Sequence, residues 1–437
     1  MLIEFSIANY RSIKEMQTIS FRAAKMKSKF SDVDENNTFQ ANAKFQLLKS
    51  IAVYGANASG KSNLIRALSG MLNFVYSSVK DESALNRFFE NEQFALDPKS
   101  SSDPSFFQII FLLEGIPYRY GFEVSGKKIH SEWLFYTPKT EEVELFTRSN
   151  LEVKVNPRHF KEGSDKKNTN LYSTSSLFFS VVSSFNGEKS KKIESYFKTI
   201  TIISGLNDGI WGRKTISFLE DSSYQVKILK LLEFADTGIN DIRKIELNPE
   251  NIPADGIPNA VSEKLRRIVG DGIKIQSALT SRTFKDENGN TVSREFLLDQ
   301  HESEGTKKLI AYSVPLIDSM KNPVILIIDE FDARFHPLIT RKILQLFHSK
   351  ELNIHNSQIL IATHDVTLLK ADILRRDQIY FAEKDQSHST RYYSLSDFKG
   401  IRNDASFDKD YINGRYGAIP FLGNFEDFLK EHSNEAN

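Results

Sequence analysis

The chain has 437 residues, 40% hydrophobic and 26% charged, a composition ordinary for a soluble globular protein but too long for one simple core. Lysine plus arginine and aspartate plus glutamate each number 57, so the net charge is zero, which argues against attachment to nucleic acid by bulk charge. Cysteine is absent, which excludes disulfides, thiolate metal sites and cysteine nucleophiles.

Residues 2–7 alternate apolar and polar side chains and predict a first strand, followed by a turn at 8–12. Glu4 interrupts the opening apolar run, which does not fit a secretory signal. No run approaches the length of a membrane span, so a cytoplasmic protein without membrane contact is expected. Residues 19–23 can pair with the first strand. Residues 26–44, rich in Lys, Asp, Asn and Ser, read as an exposed loop or a short charged helix.

Residues 51–54 form a short apolar, β-rich run, and residues 63–68 open a helix that runs to about Ser78. Between them stand Gly55, Ala56, Asn57, Ala58, Ser59, Gly60, Lys61 and Ser62, in the order G-x-x-x-x-G-K-S. Strand, glycine loop and helix are what phosphate binding needs: backbone N–H groups and the helix N-terminus turn toward the anion. Lys61 is then expected on the β- and γ-phosphates of ATP, Ser62 on Mg2+, and Asn63 at the end of the loop.

A polar break at 99–104 leads into strand-like runs at 106–113, 118–124 and 129–137, an antiparallel meander that residues 142–155 continue. Residues 157–174 read as a polar connection. Apolar residues then recur at three-to-four spacing in 177–185, 192–199, 223–234 and 261–268. The chain thus divides into an N-terminal half of an ATPase domain (1–156), a mostly helical insertion (157–270) and a C-terminal half (271–437). The last begins with a hairpin, 273–284 and 292–298, around Asn288-Gly289.

In that half, Val324, Ile325, Leu326, Ile327 and Ile328 predict a central parallel strand buried on both faces, and Asp329 and Glu330 follow at its end. Ligands of open α/β sheets sit at strand C-termini, which places Asp329 on Mg2+ and Glu330 on the attacking water. A second apolar strand at 358–362 ends at Thr363 and His364, where a side chain can sense the γ-phosphate. Ser303, Glu304, Gly305 and Thr306 open a helix with Ser303 as N-cap; such a start can dock on an anion, here the nucleotide of a second subunit.

With these four motifs in this order, the chain resembles ABC/SMC-type ATPases of the overcoming-lysogenization-defect branch. Within that branch it is similar to the RloA/AbiLi-like group, often labelled AAA-family ATPases. The likeness extends to the opening turn at residues 7–13 and to residues 374–380 and 411–420 near the end. It implies an α/β P-loop NTPase of ABC/SMC type, with a mixed sheet, an antiparallel β meander and a mostly helical insertion. It equates residues 303–306 with the signature sequence, although the usual second glycine is missing. It also implies Arg11 at the nucleotide and a metal-side glutamine, for which Gln93 is favoured over Gln108.

The resemblance further implies head-to-tail dimers, or assemblies built from them, with two ATP molecules sandwiched, and Asp332 and His336 touching across the interface. The biological expectation is anti-phage defence, with the ATPase as sensor of a phage protein and regulator of a separately encoded effector such as a TOPRIM-type nuclease. Larger relatives append a nuclease domain. The stretch after His364, about seventy residues, is short for one, and Asp404, Asp408 and Asp410 lack two-metal spacing. A DNA-clamping or DNA-repair ATPase is the alternative, with basic clusters at 189–192 and 264–267 as the candidate contacts.

Overall fold

The computed structural model describes residues 1–165, 172–206, 208–247, 275–402, 405–420 and 422–423. The expected helix at 261–268, the basic cluster at 264–267 and Asp404 lie outside the described residues.

An antiparallel pair, β1 (Leu2–Ala8) and β2 (Gln17–Ser20), opens the chain, and a hairpin, β3 (Thr38–Gln40) and β4 (Gln46–Leu48), leads into β5 (Ser50–Tyr54). The 26–44 stretch forms a short helix, Ser31–Asn37, ahead of β3. The predicted meander follows as β6 (Ser105–Leu113), β7 (Ile116–Val124), β8 (Ile129–Tyr136), β9 (Val143–Ser149) and β10 (Glu152–Val155). The remaining strands are β11 (Ile200–Ser204), β12 (Asp241–Leu247), β13 (Ile275–Lys285), β14 (Thr291–Leu297), β15 (Ile325–Asp329), β16 (Gln358–Ala362), β17 (Ile379–Lys384) and β18 (Thr390–Ser394).

Two large sheets result. The first, antiparallel throughout, runs β10-β9-β8-β7-β6-β1-β2. The second runs β11-β15-β16-β5-β17-β18 and is parallel except at β18. The helix Lys61–Ser77 lies between them and buries residues around most of its girth, including Leu64, Ile65, Leu68, Met71 and Phe74. Phe5 and Phe107 from one sheet and Val53, Ile327 and Leu360 from the other join the same core. That two-sided burial explains why β5, β15 and β16 read as unbroken apolar runs. On the far face of the second sheet, Tyr312, Leu344, Phe347 and Tyr411 close a second core.

The stretch expected to be mostly helical does carry the helices Phe178–Ser184, Glu188–Phe197, Gly209–Phe218 and Ser222–Phe234. It also carries two strands that helical periodicity did not predict. β11 pairs with β15 in parallel and becomes an edge of the second sheet. β12 joins β13 and β14 in a small third sheet. The first two helices do not stand apart: buried Glu132 of β8 accepts the N–H groups of Phe178 and Phe179 at 2.7 and 3.0 Å, tying that helix start to the meander. The last two pack on the start of the Glu304–Lys321 helix through Ile216, Ile228, Leu232, Leu309 and Ile310.

Candidate functional site

Because β15, β16 and β5 are parallel neighbours, their C-terminal ends share one edge of the second sheet. β16 lies in the middle, so Thr363 and His364 emerge between the glycine loop on one side and Asp329 and Glu330 on the other.

The glycine loop is shaped for an anion. Ala58 and Gly60 adopt φ of 60° and 109°, and a Cβ on Gly60 would stand 2.3 Å from Thr390 Oγ1. Only glycine allows both the turn and the close approach. Buried Lys61 donates from Nζ to the carbonyls of Gly55 (2.8 Å) and Ala56 (3.1 Å). Ser59 Oγ is buried without a hydrogen-bond partner, an orphan polar atom inside the loop. Asn57 and Ala58 are exposed, and Ser62 is half-buried in the first turn of the helix. Together these features fit a phosphate cradle.

Groups remote in sequence brace the loop. Thr390 Oγ1 donates to Ser59 O at 2.8 Å and Tyr392 OH to Gly60 O at 2.8 Å. Ser12 Oγ lies 2.7 Å from Thr390 Oγ1 and accepts from Asn63 Nδ2 at 2.8 Å. Sequence reasoning missed Thr390 and Tyr392; the alternation at 390–394 could have revealed a strand, though not its partner. It looked to Arg11 for nucleotide contact, whereas the Arg11 guanidinium is paired with Glu92 and the adjacent Ser12 reaches Asn63.

On the acidic side, Glu330 stands at φ 49°, a left-handed conformation uncommon for a side chain of this kind. Such outliers gather at functional sites. Asp332 Oδ1 accepts from Thr363 Oγ1 (2.6 Å) and from the His364 N–H (3.0 Å), joining the ends of β15 and β16 within one chain. The sequence expectation of a cross-interface contact at Asp332 therefore meets an intrachain partner. His336 likewise caps its own helix, its Nδ1 accepting from Leu338 N at 3.2 Å. Among the described residues no group of three or more His, Asp or Glu can hold a metal unaided. Ser62 and Asp329 suit Mg2+, which is commonly held by one or two protein oxygens together with phosphate oxygens. Gln108 is engaged by Arg119 and Trp133. Gln93 follows Glu92 in a loop tied to the 9–11 turn through Phe94 N and Asn9 Oδ1, at 3.1 Å.

Burial lowers the Lys61 pKa, and the carboxylates of Glu330, Asp329 and Asp332 offset part of that. Burial also lowers the His364 pKa, with the Lys61 charge acting in the same direction and the three carboxylates opposing it. The imidazole is therefore neutral at pH 7 and protonates only below the ordinary histidine value of about 6.5. In an NMR titration the His364 ring should show a midpoint below that value. In Lys61→Ala the midpoint should move up, because one positive neighbour is gone; an unmoved midpoint would separate the two side chains electrostatically.

Ser303 and Glu304 are exposed, and Ser303 Oγ accepts the Thr306 N–H at 3.1 Å, the predicted N-cap. The N–H groups of Glu304 and Gly305 have no acceptor within the helix, as in any first turn.

The family described as "AAA domain, putative AbiEii toxin, Type IV TA system" matches residues 50–370. That span runs from β5 past His364 and takes in the glycine loop, residues 303–306, Asp329, Glu330 and His364, but not the opening turn or residues 374–380 and 411–420. No curated protein matches the chain.

Proposed function

The chain belongs to this AAA-domain family of P-loop ATPases, and we propose that it hydrolyses ATP in sites completed by a second copy of itself. The reading rests on one observation above all: the braced glycine loop and the Asp329–Glu330 pair lie on the same sheet edge, with His364 between them. Residues 55–63 hold the triphosphate, with Lys61 on its outer phosphates. Ser62 and Asp329 would hold Mg2+, which neutralises phosphate charge when bound. Glu330 accepts a proton from the attacking water as the γ-phosphoryl group transfers, and neutral His364 hydrogen-bonds near the same phosphate. We read the fold as of ABC/SMC type, a reading supported by the antiparallel sheet packed on the nucleotide-binding sheet through a shared core.

The first turn at 303–306, with Ser303 and Glu304 exposed and Gly305 and Thr306 half-buried, supports a head-to-tail dimer, since a helix N-terminus there can meet the phosphates of another copy. Hydrolysis then reports assembly. The likeness to RloA/AbiLi-like ATPases supports a role in anti-phage defence, gating a separately encoded effector such as a nuclease. The DNA-clamping reading draws less support. In the 189–192 cluster, Lys191 pairs with Glu194, Lys192 with Glu114, and Lys189 Nζ donates to His159 O.

Mixing two inactive variants tests the shared site. Lys61→Ala lacks the cradle and Thr306→Arg blocks the signature turn. Half of randomly mixed dimers hold one intact site of two, so ATP-driven dimer formation, read by light scattering, should return in the mixture while it is absent from either variant alone. No recovery on mixing overturns the composite site.

A further inference from the structure

We propose that Lys308 is a positioning residue that ties each subunit's signature turn to its own Glu330, coupling the two hydrolysis sites of the dimer. This rests on the shared-site reading above and adds the part that links one site to the other.

Lys308 sits in the second turn of the Glu304–Lys321 helix and is fully buried. Its Nζ donates to Glu330 O (3.1 Å), Phe331 O (3.2 Å) and Ala333 O, and lies 4.7 Å from the centre of the Phe335 ring. Three carbonyls take up the three protons of the ammonium, and its hydrogen bonds include no carboxylate. A buried cation satisfied this way is stable only while those carbonyls converge, so helix and loop must move as one piece. Two further contacts join the same elements. Glu304 pairs with Arg334 at 3.1 Å. Gly305 lies so close that a Cβ there would come 2.8 Å from Arg334 O. The loop itself is bracketed by left-handed residues, Glu330 at φ 49° and Arg334 at φ 66°.

In a head-to-tail dimer the turn at 303–306 meets the partner's nucleotide, whereas Glu330 acts on its own subunit's. When the turn is drawn onto a phosphate, Lys308 carries the displacement to Glu330. Capture at one site thereby sets the base at the other.

The test compares full-length wild type, Lys308→Met and Lys308→Arg for ATP affinity and for ATPase rate against ATP concentration. Wild type should show a Hill coefficient above one. Lys308→Met should keep Kd within about twofold, lose kcat by about 10- to 100-fold, as misplacement of a catalytic group does, and drop to a Hill coefficient of one. Lys308→Arg, which can still reach the carbonyls, should recover part of kcat. A wild-type kcat and Hill coefficient in Lys308→Met overturns the proposal, as does a kcat loss that merely follows Kd. If Lys308→Met does not fold, exposed Arg334→Ala probes the same link: a lowered Hill coefficient at constant Kd supports it, and an unchanged one overturns it. Failure of the Lys61→Ala and Thr306→Arg mixture removes the shared site; success there with an indifferent Lys308 removes this inference alone.

Discussion

Glu330→Gln is expected to bind ATP normally while hydrolysing it about 10²- to 10⁴-fold more slowly, the range a positioned general base contributes. The amide preserves the size of the side chain and leaves the backbone carbonyl that receives Lys308 in place. What it removes is basicity, so the water loses its proton acceptor while the cradle at residues 55–63 is untouched. Binding without turnover should also lock the closed dimer. Light scattering of the variant should show a dimer that persists in ATP–Mg2+ and disperses when nucleotide is removed. A wild-type rate would move the base elsewhere, with His364 the nearest alternative on the same edge.

Lys61→Ala should abolish useful nucleotide binding. A charge-assisted contact of about 2–3 kcal/mol corresponds to about 30- to 150-fold in Kd. The side chain is buried and held by the loop's own carbonyls, so its charge is presented in place without an ordering cost at the moment of binding. Isothermal titration measures the affinity directly. The thermal midpoint gives a second reading: it should rise with ATP–Mg2+ in wild type and stay flat in the variant. Retention of affinity would mean that the helix N-terminus and loop amides suffice.

The site was legible wherever its chemistry sits in contiguous residues. Gly55, Gly60, Lys61 and Ser62 carry their own geometry in their spacing, and five aliphatic residues before Asp329 can hardly be anything but a strand buried on both faces. The hairpin at Asn288-Gly289 was legible for the same reason. β11 was not. No glycine or proline separates the helix ending at Phe197 from Ile200, and Ile193, Tyr196, Phe197 and Ile200 keep helical spacing, so only pairing with β15 makes the segment a strand. The brace from Thr390 and Tyr392 is likewise invisible in the sequence, because a hydroxyl that holds a loop more than 300 residues away leaves no local pattern. Asp332 was assigned outward on the strength of resemblance, and the nearer partners, Thr363 and His364, come from a neighbouring strand.

Thr390 and Tyr392 also have a bearing on synthesis. β5 leaves the ribosome early, yet both strands that flank it, β16 and β17, are made about 300 residues later, and the hydroxyls that pin Ser59 and Gly60 later still. Until then the nascent chain carries every letter of the nucleotide motif on an unpaired apolar strand. Such long-range pairing is slow and prone to aggregation. ATP capture is therefore among the last properties the growing polypeptide acquires, and a chain cut short before residue 390 has the motif without the grip.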